Sequence, residues 1–100
     1  MKQKMFSTVR RYEEVKDTKA AAIKIEEVFV PLISALPGFI EYYCIDLGNG
    51  AMMSITIFKT LAEAIAANTK SRSWVEEHLS SVLSRSVRIE AGPIVVYNGK

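Results

Sequence analysis

The chain has 100 residues, of which 49% are hydrophobic and 24% are charged, and its formal net charge is +2. These values are typical of one folded domain, so we predict a single domain over residues 1–100. The near-neutral charge, without a basic stripe, argues against a nucleic-acid partner. No apolar run approaches the roughly 20 residues of a membrane span, and no signal peptide is indicated. With one cysteine and therefore no intrachain disulfide, we expect a cytoplasmic protein that makes no membrane contact.

The first strand and the first helix are indicated by composition and spacing. Residues 5–12 are rich in β-branched and aromatic side chains, which predicts a strand. Asp17 or Thr18 is the expected N-cap of a helix whose apolar residues recur at three- and four-residue steps as far as Leu36. Pro31 lies inside this pattern and predicts a kink or an early end, because proline has no N–H group to donate.

A hairpin is predicted in the middle of the chain. Residues 39–47 and 51–58 have the composition of strands, and the Gly-Asn-Gly sequence at 48–50 favours the positive φ angles of a tight turn. Thr60, with Glu63 three residues later, has the capping-box spacing that begins a helix.

The second helix is expected to bury one stripe of large apolar residues, namely Leu61, Ile65, Val75, Leu79 and Leu83. Arg72 would fall inside this stripe if the helix were continuous, so we predict a break or bend near residues 71–73. Residues 87–97 predict the last strand, with Gly92-Pro93 as a bulge or an edge feature.

The predicted order βαββαβ is that of a ferredoxin-like α+β domain, with a four-stranded antiparallel sheet and both helices on one face. The other face would then be open. Alternation along residues 39–47 assigns one set of side chains to one face (Phe39, Tyr43, Ile45, Leu47) and a second set to the other (Ile40, Tyr42, Cys44). Both faces therefore carry large apolar groups, which predicts a homodimer that pairs through the open sheet face.

The sequence SALPGFIEYYCIDLGNGAMMSITIFKT, followed by NTKSRSWVEEHL, resembles small members of the antibiotic biosynthesis monooxygenase (ABM) family, in the dimeric α+β barrel superfamily. The resemblance covers nearly the whole chain. It implies a cofactor-independent oxygenase of polycyclic aromatic substrates, with a pocket between helices and sheet that uses asparagine, tryptophan and tyrosine. The nearest matches are Asn68, Trp74 and Tyr42 or Tyr43. The asparagine on strand one and the distant histidine of haem-degrading members have no counterpart here.

Three residues of the second helix are the candidate catalytic groups. Trp74 and His78 are four residues apart and share a helical face, where they would hold a flat substrate and move a proton, or simply pack at the edge of the core. Asn68 would orient a substrate carbonyl or peroxy group, or bond the backbone freed by the expected helix break.

The candidate substrate-binding residues are Tyr42, Tyr43, Met52 and Phe58, and the alternative for each is ordinary packing. The two neighbouring tyrosines are expected on opposite faces of their strand. Cys44 is expected to be a small buried hydrophobe rather than a nucleophile.

Arg10 has two expected roles on the sheet. It would pair with Glu41 or Asp46, or serve as an edge charge that opposes aggregation.

The sequence thus predicts a homodimeric, cofactor-independent monooxygenase that acts on a small aromatic or quinol-type substrate. The alternative is a non-catalytic ligand-binding or stress-associated homodimer, and haem binding is a third possibility. An open cavity beside Trp74 and His78 would favour the first hypothesis, and a cavity packed shut by Met52, Met53 and Phe58 would favour the second.

Overall fold

A computed structural model describes residues 4–84 and 86–99 of the chain. The strands are β1 (Phe6–Tyr12), β2 (Phe39–Gly48), β3 (Ala51–Phe58) and β4 (Arg88–Pro93). The helical elements are α1 (Thr18–Lys24), a π-helical segment (Ile25–Phe29), α2 (Val30–Ser34) and α3 (Leu61–His78). The first three helical elements follow one another without a gap, so we describe them together as the first helix (residues 18–34). The predicted order βαββαβ is confirmed.

The four strands form one antiparallel sheet in the order β2-β3-β1-β4, with β1 and β3 in its centre. This is the ferredoxin-like arrangement that the sequence predicts. The core lies between the sheet and the helices, and every second residue of β1 and β3 is buried there. None of the helices in the described ranges has the length and apolarity needed to cross a bilayer.

The first helix begins at Asp17, whose Oδ1 accepts a hydrogen bond from the backbone N–H of Ala20 at 3.0 Å. Pro31 does not end the first helix. The helix widens into π-helical hydrogen bonding before the proline and then continues to Ser34. Wider hydrogen-bond rings accommodate a residue that cannot donate, so the helix neither stops nor needs the missing bond.

The predicted break in α3 is wrong, because the helix runs continuously from residue 61 to residue 78. The residues that it buries are smaller than expected, namely Ala64, Ala67, Ser71 and Val75. Leu61 and Ile65 are instead 41% and 54% exposed. Arg72 therefore lies on the exposed side of α3, so the continuous helix does not bury its charge. Thr60 caps the helix as predicted, since its Oγ1 accepts from the Glu63 N–H at 3.1 Å.

Two other predicted boundaries were too generous. The second helix ends at His78 rather than near Leu83, and β4 ends at Pro93 rather than Tyr97. The segment after β4 leaves Val95 and Val96 86% and 83% exposed. The hairpin is as predicted, with positive φ angles of 85°, 54° and 78° along residues 48–50.

The two faces of β2 differ from the prediction at one residue. The pairing register shifts between Phe39 and Glu41, so Phe39 lies opposite Phe58 on the helix side of the sheet, with Tyr42 rather than with Tyr43. Strict alternation fails there because a bulge inserts one extra residue. The open face nevertheless carries the apolar side chains expected of it, namely Val9, Tyr43, Ile45, Met53, Ile55 and Ile57.

Candidate functional site

A cleft of about 660 Å³ lies between the first helix and β2. Its apolar lining comes from Ile25 and Val30 of the helix and from Phe39 and Tyr42 of the strand. Polar residues also line it, namely Glu26, Ser34 and Cys44, while Glu41 and Tyr43 border it along the edge strand with their side chains on the open face of the sheet. The volume falls within the range usual for small-molecule sites, and the mainly apolar lining with a few polar groups is typical of them.

The position of β2 explains the cleft. This strand is at one edge of the sheet, and it packs against α2 of the first helix. The ring of Tyr42 packs against Phe29 with centroids 5.6 Å apart, which fixes the inner side of the cleft. Burial raises the pKa of the Tyr42 phenol well above its usual value, so this hydroxyl stays protonated and can donate a hydrogen bond.

Tyr43 and Cys44 lie at the mouth of the cleft. The Tyr43 hydroxyl donates a hydrogen bond to the Glu41 carboxylate, and this bond raises the pKa of the phenol. Cys44 is exposed, which makes the prediction of a buried cysteine wrong. It belongs to an edge strand, and partial burial raises the pKa of its thiol, which lowers the fraction of reactive thiolate.

A second, much smaller space of about 10 Å³ lies deeper, between the helices and the sheet. Its lining is Arg10, Tyr12, Ile25, Phe29, Tyr42, Ser54, Val75, Leu79 and Leu83. A space of this size holds about one water molecule or one oxygen atom. Ile25 and Tyr42 line both this space and the cleft, so these two side chains form the partition between them.

Arg10 is the most unusual residue of this inner space. Its side chain is only 4% exposed, and its Nη2 donates to the Asn68 Oδ1 at 2.8 Å. Its Nε is buried without a hydrogen-bond partner, and no carboxylate of the described residues forms an ion pair with it. Burial accordingly lowers the pKa of the guanidinium.

Both predicted roles of Arg10 are wrong. It lies on a central strand, not at an edge, and points toward the helices. Glu41 lies on the opposite face of the sheet, where it accepts from Tyr43, and Asp46 accepts from the Gly48 N–H at the hairpin. Sequence reasoning missed Arg10 as a site residue. The alternation of Thr8, Arg10 and Tyr12 can be read from the sequence, but the central position of β1 in the sheet cannot.

The structure does not bring the three candidate catalytic residues together. Asn68 bonds Arg10, so the predicted bond to a freed backbone group is wrong. Trp74 is partly buried and packs edge-on against Phe29, with ring centroids 6.3 Å apart. His78 is exposed beside Glu77 at 3.6 Å, about 15 Å along the helix axis from Asn68.

The candidate substrate-binding residues separate into two pairs. Tyr42 and Tyr43 line the cleft. Met52 and Phe58 are almost fully buried in the core, away from the cleft lining, so a ligand would reach them only after core side chains moved. Within residues 4–84 and 86–99, no three His, Cys, Asp or Glu side chains are grouped so that they could hold a metal ion.

Comparison by sequence finds no match among protein-family models or curated proteins. Comparison by structure finds several similar folds. A protein of unknown function from Nitrosomonas europaea has a TM-score of 0.75 at 16% identity, covering 98% of this chain and 96% of its own. A putative antibiotic biosynthesis monooxygenase from Chloroflexus aurantiacus has a TM-score of 0.65 at 12% identity, over 95% and 97% of the two chains.

A third similar structure is SnoaB from Streptomyces nogalater, described as a cofactor-independent oxygenase. Its TM-score is 0.63 at 9% identity, and the match covers 98% of this chain and 97% of that chain. At these identities the likeness concerns architecture and not activity. The chain therefore has the α+β fold found in proteins of the antibiotic biosynthesis monooxygenase type, as its sequence resemblance predicts.

Proposed function

We propose that the chain is a cofactor-independent monooxygenase that binds a small aromatic or quinol-type substrate in the cleft between the first helix and β2. The observation that carries this proposal is the aromatic-lined cleft of about 660 Å³. The reaction type is taken by analogy from SnoaB, which shares the fold and is described as a cofactor-independent oxygenase. The rings of Phe39 and Tyr42 offer flat apolar surfaces to an aromatic substrate.

The proposed reaction needs only the substrate and dioxygen. A ring CH₂ group loses one proton, and the resulting carbanion gives an electron pair to O₂, which forms a C–O bond. One proton completes a hydroperoxide. Loss of the second C–H proton then breaks the O–O bond and releases water, so that CH₂ and O₂ become C=O and H₂O. The protein contributes orientation, because the cleft holds the reacting carbon in place for its reaction with O₂.

The candidate residues take different parts in this proposal. Asn68 acts as a positioning residue, since it lines neither the cleft nor the inner space and its Oδ1 accepts a hydrogen bond from Arg10. Trp74 acts as a positioning residue, since it packs on Phe29, which in turn packs on Tyr42 of the cleft. His78 would assist proton transfer only through solvent, because its ring is exposed.

The proposal includes a homodimer formed through the open sheet face. Large side chains are exposed there, for example Tyr43 and Ile45 at 49% and 40%. Contiguous apolar surface of this kind marks an interaction site more often than it remains in water. A second copy is the simplest cover, because a two-fold axis brings the same apolar face to itself.

A second candidate function is non-catalytic ligand binding. Two observations favour it: the inner space between helices and sheet is only about 10 Å³, and neither Trp74 nor His78 lines this space or the cleft. A protein that only binds its ligand in the cleft has no need of this interior. The two hypotheses differ in whether oxygen is consumed.

Oxygen uptake with anthrone, a tricyclic ketone with one acidic CH₂ group, tests the proposal. We expect uptake above the protein-free rate, one O₂ per anthraquinone, and no return of oxygen on addition of catalase, because the second oxygen atom leaves as water. Ser34→Trp places a large ring in the cleft and should abolish uptake. Ile23→Trp, on the exposed side of the same helix, is the matched control. Binding without uptake would favour the second candidate, and full uptake by Ser34→Trp would exclude the cleft.

A further inference from the structure

We propose that Arg10 anchors an ionised oxygen of the cleft's aromatic ligand, so that the ligand class is aromatic acids, with a carboxylate or an ionised enol or phenol. This inference rests on the proposed function only for the cleft being a ligand site, and it adds the charge of the ligand. The ring would lie in the cleft, and the oxygen would enter the inner space that Arg10 lines.

Arg10 has no carboxylate partner among the described residues. A buried cation is strongly unfavourable unless an anion or a full set of hydrogen bonds compensates it. The Arg10 guanidinium donates to the Asn68 Oδ1, shares a side-chain hydrogen bond with the Tyr12 hydroxyl, and leaves its Nε unsatisfied. Arg72 lies close enough to make the surroundings more positive. Among the residues that line the inner space there is no aspartate or glutamate, so the position suited to an anion is not filled by the protein itself.

The side chains around Arg10 favour an anionic ligand. Besides Arg10, the polar groups that line the inner space are the hydroxyls of Tyr12, Tyr42 and Ser54. Burial keeps both phenols protonated, so each can donate a hydrogen bond. A cation surrounded by hydroxyl donors is suited to an oxyanion and unsuited to a cationic ligand.

The sizes of the inner space and the cleft fit the two parts of an aromatic acid. The inner space of about 10 Å³ admits one oxygen atom but no ring. The cleft beside it, with about 660 Å³, admits the ring. Only Ile25 and Tyr42 separate the two, and Ile25 begins the π-helical segment, a type of irregularity that occurs frequently at functional sites. The proposal requires movement of the Tyr42 side chain, since it lines both spaces.

The test compares two probes of the same shape, 2-naphthoate and the neutral 2-naphthamide, in which an NH₂ group replaces one carboxylate oxygen, by titration calorimetry with the intact chain. We expect the anion to bind the unmodified protein about tenfold more tightly or better, as one charge-assisted hydrogen bond provides. Arg10→Met should remove this preference, and Arg10→Lys should keep part of it. Arg88→Met, which removes an exposed cation on β4, is the matched control and should leave the preference unchanged.

Equal affinity for the two probes in the unmodified protein would overturn the inference, and this comparison needs no variant to fold. A preference that survives Arg10→Met in a folded protein would also overturn it. The oxygenase proposal fails separately. Charge-selective binding without oxygen uptake would leave the anion site in place and remove the reaction, whereas oxygen uptake with no charge preference would do the reverse.

Discussion

Replacing Arg10 by methionine should leave the fold as stable as before, or make it more stable. The substitution keeps a long, unbranched side chain and removes the buried charge. It loses the hydrogen bonds of the guanidinium to Asn68 and to Tyr12, each worth about 1.5–3 kcal/mol. It also removes the desolvation of a cation, several kcal/mol after relaxation, and a buried Nε without a partner, about 1–3 kcal/mol.

The free energy gained by removing the buried charge and the unpaired Nε is at least as large as that lost with the hydrogen bonds. Asn68 is only partly buried, so its freed oxygen can turn to water. We therefore expect the free energy of unfolding of Arg10→Met to lie between that of the unmodified protein and about 2 kcal/mol above it.

Urea denaturation at one fixed protein concentration, followed by circular dichroism, measures this difference. Arg88→Met is the control and should change stability by no more than about 0.5 kcal/mol, because its ion pair with Glu90 is exposed. If the free energy of unfolding of Arg10→Met fell by about 2 kcal/mol or more, Arg10 would stabilise the fold rather than serve a ligand.

Three other predictions follow from individual side chains. Ser71→Ala should stabilise the protein by about 1 kcal/mol in urea titrations, because the Ser71 hydroxyl is buried without a partner; a loss of stability would point to a partner for that hydroxyl. The raised pKa of the Tyr42 phenol means that, above about pH 10, the unfolded chain releases a proton that the folded chain keeps. Stability should therefore fall as the pH rises through that value, and less so in Tyr42→Phe; an identical pH dependence in both proteins would contradict this. Ile55→Lys on the open face should give monomers in sedimentation at micromolar concentration, while Ile65→Lys on the outer side of α3 should not; equal behaviour of the two variants would argue against pairing through the sheet.

Much of the fold follows from local chemistry. The hairpin residues 48–50, the cap at Thr60 and the alternation along β3 each have one structural solution, and all three appear where expected. The buried stripe of the second helix was predicted correctly at Val75, Leu79 and Leu83 but wrongly at Leu61 and Ile65, which are exposed. In the first turns of α3 the small side chains of Ala64 and Ala67 are buried instead.

The site was harder to predict because it depends on relations between elements. A bulge after Phe39 changes the face of that ring, and nothing in the local sequence requires the bulge. The burial of Arg10 depends on β1 lying between β3 and β4, which is a property of the whole topology. Tyr42 and Tyr43 were predicted to point to opposite faces of their strand, and Tyr42 is the one on the helix side, where the cleft lies.

The most direct test of a ligand site at the cleft is to map 2-naphthoate onto the protein by two-dimensional ¹H–¹⁵N NMR. The account predicts that the shifted backbone signals cluster on both sides of the cleft and its partition, at Ile25, Val30 and Tyr42, and extend to Arg10. Shifts confined to the open sheet face, around Val9 and Ile55, would contradict it.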